Sequence, residues 1–228
     1  GFLGAGKTTL IKKLIKEAYA GEKLVLIENE FGEIGIDGGF LKDAGIEISE
    51  MSAGCICCSL VGDFGKALQE VYERFQPHRI LIEPSGVGKL SDVIRAVEDT
   101  AAAVPGMYLH AAAAVADATK VKTYMKNFGE FYNDQIQAAG SIILSRTQKL
   151  TEEKLQSAVE LLREKNGAAA ILTTPWDQLG AEALLGAIER ESLSQALMDS
   201  FTPEDDRRRL GGAPDCSSCQ LHLDHRCD

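Results

Sequence analysis

The chain has 228 residues, 34 acidic against 24 basic side chains, a formal net charge of −10 and 45% hydrophobic residues. That is apolar material for one sizeable core rather than two. The acidic balance and an aromatic content of 6% argue against nucleic acid or an anionic membrane surface as a partner. The longest uncharged run, Thr100 to Ala116, is broken by Pro105, Gly106 and His110 and is too short to span a bilayer.

The chain opens on Gly1-Phe2-Leu3-Gly4-Ala5-Gly6-Lys7-Thr8, followed by Thr9. This is the full pattern G-x-x-x-x-G-K-[ST]. Such spacing lets glycines curl backbone N–H groups around a phosphate without Cβ collisions. Gly1, Gly4, Ala5, Gly6, Lys7, Thr8 and Thr9 are therefore the candidate nucleotide contacts. Lys7 places a charge on the transferring phosphoryl group, and the Thr8 hydroxyl is suited to Mg²⁺. The motif ordinarily follows a strand, so a strand is expected upstream of Gly1.

Behind it, helical patterns cover Lys7–Ala20, Leu60–Phe75, Lys89–Thr100, Glu130–Ala139, Thr151–Lys165 and Ala181–Gln195. They alternate with apolar runs at Lys23–Ile27, Arg79–Ile82, Tyr108–Val115, Ser141–Leu144 and Ala169–Thr173. This alternation predicts an α/β P-loop NTPase fold, with a mainly parallel, doubly wound sheet and helices on both faces. Thr151 is placed to N-cap its helix. The alanine tracts Ala101–Ala103 and Ala111–Ala114 read as close helix–strand packing. Glu30–Gly54, rich in Gly and acidic residues, reads as a functional loop.

The strand Ile80-Leu81-Ile82 delivers Glu83 to its C-terminal end, where ligands bind in open α/β sheets. Glu83 is the second candidate catalytic residue, holding a Mg²⁺-bound water or orienting the attacking one. Gly86 is placed to sense the γ-phosphate, and Asp117 is a weaker candidate after the next strand. After about Ser200 the pattern is lost. Glu204–Asp206, Arg207–Arg209 and Gly211–Gly212 read as a linker. The expected division is a nucleotide domain at 1–200 and a linker with a Cys/His-rich tail at 201–228.

All six cysteines fall in two groups: Cys55, Cys57 and Cys58, then Cys216, Cys219 and Cys227, the second joined by His222 and His225. A secreted disulfide scaffold would spread them; grouped thiols point to metal or redox chemistry in a reducing, cytoplasmic compartment. Three thiolates within four residues make a soft site for Zn²⁺ or Cu(I), with Glu28 or Glu33 as candidate fourth ligand. The tail offers five ligands in twelve residues, as a structural zinc knuckle or a metal-transfer arm. His78 and His110 stand alone and read as structural or surface residues; Trp176 reads as loop packing beside the base pocket.

GFLGAGKTT, Glu28-Asn29-Glu30-Phe31-Gly32-Glu33, Gly54-Cys55-Ile56-Cys57-Cys58 and Glu83-Pro84-Ser85-Gly86 together resemble the CobW-like branch of the metal-homeostasis GTPases. That family also includes the hydrogenase and urease nickel-insertion GTPases. The resemblance covers residues 1 to about 190. It implies slow GTP hydrolysis to GDP and delivery of zinc, cobalt or nickel to a client metalloprotein or metal-chelatase, with homodimerisation plausible. It places Glu28–Glu33 in the switch segment and makes Cys55, Cys57 and Cys58 the thiolates for the cargo metal. It also implies a second, smaller domain after the GTPase domain; linker and Cys/His cluster stand there instead.

The guanine-reading motif, Asn-Lys-x-Asp, is replaced by Ser145-Arg146-Thr147-Gln148. A carboxylate accepts two hydrogen bonds from guanine N1 and N2, whereas Gln148 offers one acceptor and an NH₂. ATP use thus stays open beside GTP, with Arg146 expected to lay its stem along the base. A non-catalytic, nucleotide-gated metal sensor or store is the alternative reading. A P-loop kinase would need an arginine-bearing lid, and no such cluster lies between Glu83 and Ser145.

Overall fold

In the computed structural model, the described residues are 1–19, 21–28 and 61–189, all within the compact unit Gly1–Ser192. Apolar runs and amphipathic stretches alternate in chain order as α1 (Lys7–Glu17), β1 (Leu24–Glu28), α2 (Val61–Phe75), β2 (Arg79–Glu83), α3 (Leu90–Ala103) and β3 (Ala113–Asp117). There follow α4 (Val121–Asn127), α5 (Gly129–Gln137), β4 (Ser141–Ser145), α6 (Glu152–Lys165) and β5 (Ala170–Leu172). Residues 181–189 are helical.

Among the described residues every strand pairing is parallel. β1 pairs with β2 from Leu24↔Arg79 to Glu28↔Glu83. β3 pairs with β4 from Ala113↔Ser141 to Asp117↔Ser145, and β4 with β5 from Ser141↔Ala170 to Ile143↔Leu172. Among the described residues β2 and β3 do not pair with each other. Between them lies a cavity of about 350 Å³ whose lining includes Ile80, Ile82, Ala113 and Val115.

The period-2 alternation of strand side chains sends successive residues to opposite faces, and both faces are covered, as parallel sheets require. Leu24 and Leu26 pack with Leu10, Leu14 and Ile15 of α1, where Val115, Ile143 and Leu184 join them. Their neighbours Val25 and Ile27 point the other way, onto Phe64, Leu68 and Val71 of α2 and Val93 and Val97 of α3. Ala114, Ala116, Ile142 and Leu144 meet α4, α5 and α6 through Val121, Tyr132, Ile136 and Leu162. Helix α1 thus spans the strands on both sides of the cavity.

Several expected boundaries shift for identifiable reasons. α1 stops at Glu17 rather than Ala20, because the N–H groups of Ala18 and Tyr19 both turn back to Leu14 O. The run from Tyr108 is strand only from Ala113. Pairing begins where Gly140 and Ser141 donate to Ala112 O, and residues further upstream have no stretch of β4 beside them. The short helix α4 was not expected. Thr151 sits at the N-cap in an extended conformation, but its side chain makes no capping bond. The tract Ala111–Ala114 does lead into packed strand, whereas Ala102 and Ala103 are exposed at the end of α3.

One side chain ties three elements together. Asn166, after α6, donates to the carbonyls of Ile136 (2.9 Å), Gln137 (3.1 Å) and Ala139 (2.8 Å) at the end of α5. Its Oδ1 accepts from the N–H groups of Ala168 and Ala169 at the approach to β5. It thereby satisfies helix-end carbonyls that otherwise lack intrahelical partners. Asn166→Ala is expected to lower unfolding free energy by about 2–4 kcal/mol in urea denaturation. Asn166→Asp is expected to be at least as harmful, since a carboxylate facing three carbonyls cannot donate.

Candidate nucleotide-binding site

The glycine-rich turn leads directly into α1. Gly6 occupies the N-cap at φ 100°, ψ 21°, a conformation that L side chains rarely adopt. A Cβ there would also lie 3.1 Å from Cη2 of Trp176. The turn is held by Ala5 N–H to Phe2 O at 3.3 Å, and Gly6 O accepts from Leu10 N–H at 3.0 Å. Phe2 is buried against Tyr124 and Phe128, with ring centroids 4.9 and 4.8 Å away, and reaches Tyr132 at 5.8 Å. One residue of the phosphate loop is thus plugged into α4 and α5. Burial, and next the charge of Asp117, push the Tyr132 phenol above its ordinary pKa.

Lys7 Nζ lies 3.7 Å from Glu83 Oε1 and 3.4 Å from Phe2 O, both side chains mostly shielded from solvent. The expected juxtaposition of phosphate-loop lysine and strand-end carboxylate is therefore present. Gly86, three residues further on, abuts the phosphate loop: a Cβ there would come within 2.9 Å of Leu3 N. The buried Gln135 of α5 fixes this segment by donating to the carbonyls of Gly86 (3.0 Å) and Gly88 (2.8 Å). Its neighbour Asp134 accepts from the N–H and hydroxyl of Ser91, satisfying the start of α3, whose own N-cap Lys89 provides no side-chain bond.

The Arg146 guanidinium is engaged on the protein itself. Arg146 is the residue at positive φ (59°) that leaves β4, and its guanidinium pairs with Asp117 Oδ2 and donates to Gly4 O at 2.9 Å. Asp117, only 2% exposed, also accepts from the N–H and hydroxyl of Thr119. Asp117 is thus the anchor of a link from the β4 turn to the phosphate loop rather than a residue beside Lys7. Next to this link is a pocket of about 540 Å³, lined by Ala5, Gly6 and Thr9 on one side and by Ser145, Arg146, Gln148, Trp176 and Asp177. Trp176 packs over Gly6 and donates its indole N–H to Leu144 O at 3.0 Å.

The model of the CobW/HypB/UreG nucleotide-binding domain matches residues 1–173. The chain belongs to this family. It is 33% identical over 168 residues to the zinc chaperone YeiR of Escherichia coli, covering 73% of this chain and 50% of that protein. It is 33% identical over 213 residues to the zinc chaperone CobW of a Sinorhizobium species, covering 75% and 60%. Among solved structures, Zn(II)-bound YjiA GTPase from E. coli superposes with a TM-score of 0.57 at 26% identity, over 76% of this chain and 55% of that one. The hydrogenase maturation factor HypB of Archaeoglobus fulgidus shares the fold, at TM-score 0.55 and 15% identity, over 84% and 87%. The chain spans about half to three fifths of the length of these curated relatives. An α/β P-loop GTPase fold is thereby established.

The metal candidates are differently served. Cys55, Cys57, Cys58 and Glu33 lie outside the described residues, as do Cys216, Cys219, His222, His225 and Cys227. Glu28 is placed by its backbone alone, at the end of β1 in register with Glu83. Among the described residues no group of three or more His, Cys, Asp or Glu is arranged to hold a metal ion. His78 accepts from Lys23 N–H, and His110 Nε2 lies 3.1 Å from Glu189. No helix among the described residues is long and apolar enough to cross a membrane.

The sequence reading named Asp117 as a candidate but missed its pairing with Arg146, and it missed Gln135 altogether, because a helix-borne Gln carries no motif. The Arg146–Asp117 link has a direct test. Removing Arg146 leaves a buried carboxylate short of its cation, so Arg146→Ala should cost about 1–3 kcal/mol of stability. A double-mutant cycle with Asp117→Ala by chemical denaturation should recover most of that loss as coupling.

Proposed function

We propose that this chain is the nucleotide-binding part of a metallochaperone GTPase, coupling Mg²⁺-dependent GTP hydrolysis to the handling of a transition metal, with zinc the first candidate. The observation that carries the reading is the pairing of Lys7 with Glu83 at the mouth of the phosphate loop. A cation and a carboxylate there can divide the work of phosphoryl transfer. Lys7 offsets charge on the β- and γ-phosphates, and Glu83 orients the attacking water. Gly1, Gly4, Ala5, Gly6 and Thr9 complete the cradle, with Gly86 set to contact the γ-phosphate.

Thr8 and Glu83 supply the hard oxygen donors that suit Mg²⁺, so the donor set fits that ion. When bound with the nucleotide, Mg²⁺ would neutralise phosphate charge. Cys55, Cys57 and Cys58 are the thiolates for the cargo metal, with Glu28 or Glu33 as fourth ligand. The tail with Cys216, Cys219, His222, His225 and Cys227 is a second metal-binding element. The names of relatives, two zinc chaperones and a zinc-bound GTPase, support zinc ahead of cobalt or nickel. The recipient would be a client metalloprotein or chelatase.

Purified full-length protein is expected to hydrolyse GTP slowly with Mg²⁺, and Lys7→Ala to lower turnover by about a hundredfold or more. Failure to hydrolyse either GTP or ATP, with or without stoichiometric zinc, would leave a nucleotide-gated sensor or store as the better description. Elemental analysis of Cys57→Ser is expected to show reduced zinc per chain; unchanged stoichiometry would remove the triad from the metal site.

A further inference from the structure

We infer that guanine is read in this chain by Asp177, with the Gln148 amide as its complement, so that the recognition carboxylate comes from the turn after β5 instead of the turn after β4. This rests on the nucleotide-binding reading above and deepens it at the same site.

The geometry brings the two side chains to one pocket. Gln148 lies in the 3₁₀ turn Thr147–Lys149 that follows β4, and Asp177 in the turn Trp176–Gln178 beyond β5. β4 and β5 are adjacent and parallel, so both turns emerge at the same end of the sheet. The Trp176 indole clamps the second turn onto the first strand through Leu144 O. Both residues line the pocket of about 540 Å³ beside the phosphate loop, a size that admits a nucleoside.

Its other charged groups are committed elsewhere. The Arg146 guanidinium is held by Asp117 and Gly4 O, and the Glu17 carboxylate by Lys13 at 2.8 Å. Among the described residues the Asp177 side chain makes no hydrogen bond or ion pair, and it is the remaining acidic group in the pocket lining.

Guanine presents N1–H and N2–H donors beside the O6 acceptor. A carboxylate accepts both donors at once, and an amide N–H satisfies O6. Adenine presents N6–H beside the N1 acceptor, so a carboxylate meets one donor and one lone pair, and half of the match turns repulsive. Gln148 alone fits either base. Asp177 and Gln148 together fit guanine.

Calorimetric titration of the full-length protein with GDP, inosine diphosphate and ADP tests this, because inosine lacks only the 2-amino group of guanine. The wild-type protein is expected to bind GDP about tenfold or more tightly than either alternative. Asp177→Ala and the near-isosteric Asp177→Asn are expected to bring the GDP-to-inosine ratio close to one, with circular dichroism confirming the fold. Gln148→Ala should weaken GDP and inosine diphosphate by the same factor, since both carry O6. A GDP-to-inosine ratio unchanged in Asp177→Ala, or ADP bound as tightly as GDP by the wild-type protein, would overturn the inference while leaving nucleotide binding in place. Failure of the wild-type protein to bind any of the three would overturn the nucleotide reading itself.

Discussion

Parallel pairing aligns the strand ends within each of the two sheets, β1–β2 and β3–β4–β5, and the rest of the site depends on the phosphate loop that joins them, with Lys7 on Glu83 beyond one and Gly4 on Arg146 beyond the other. In an in-register parallel pair, neighbouring strands finish side by side. Glu28 therefore ends beside Glu83, and Asp117 beside Ser145. The turns that follow, carrying Gly86, Thr119, Arg146 and Gln148, emerge at those ends. α1 begins there as well, since Gly6 turns the chain into a helix whose apolar face lies on Leu24, Leu26 and Val115. A strand reversed in this arrangement would carry its terminal carboxylate to the opposite end of its sheet, more than 10 Å away by the rise of about 3.3 Å per residue.

Convergence alone does not fix a loop that must wrap an anion. The phosphate loop is braced by three contacts of different chemistry. Phe2 is buried among aromatic rings of α4 and α5. Gly86 presses against Leu3 and is itself tied down by Gln135. Arg146 bonds the Gly4 carbonyl while neutralising Asp117. The third brace runs to the turn that leads into the pocket lined by Gln148 and Trp176. The phosphate loop and that pocket thus share one guanidinium. Lysine could supply the charge but not the planar fork that serves two acceptors at once, which accounts physically for arginine at this position.

Much of this was legible from local chemistry. Gly6 and Lys7 announce themselves by spacing, and Glu83 by its place behind Ile80-Leu81-Ile82. The alternation of short apolar runs with amphipathic helices was sufficient for the fold class. What escaped depends on neighbours distant in sequence. The start of β3 at Ala113 is set by where β4 begins beside it, not by the apolar character of Tyr108–Ala112. Asp117 stood out as a strand-end carboxylate, but its partner did not, because Arg146 is 29 positions away in sequence. Trp176 was read as packing with the pocket nearby, and it does both. Asp177 carried no signal, since an aspartate in a turn is common and its meaning comes from the Gln at position 148.

The described ends of the chain on either side of residues 29–60 bear on the proposed coupling of nucleotide to metal. The chain leaves β1 at Glu28, directly beside Glu83 in register, and re-enters the fold at α2, whose Phe64, Leu68 and Val71 pack beneath Val25 and Ile27 of the same strand. The exit from β1 adjoins the carboxylate that faces Lys7, so on the proposed reading a γ-phosphate that draws Lys7 away from Glu83 would act at the root of the chain that leads on to Cys55, Cys57 and Cys58. For nucleotide state to change metal affinity, the phosphate needs only a differential contact with that root. By the same linkage, metal bound to the thiolates must change nucleotide affinity by an equal factor.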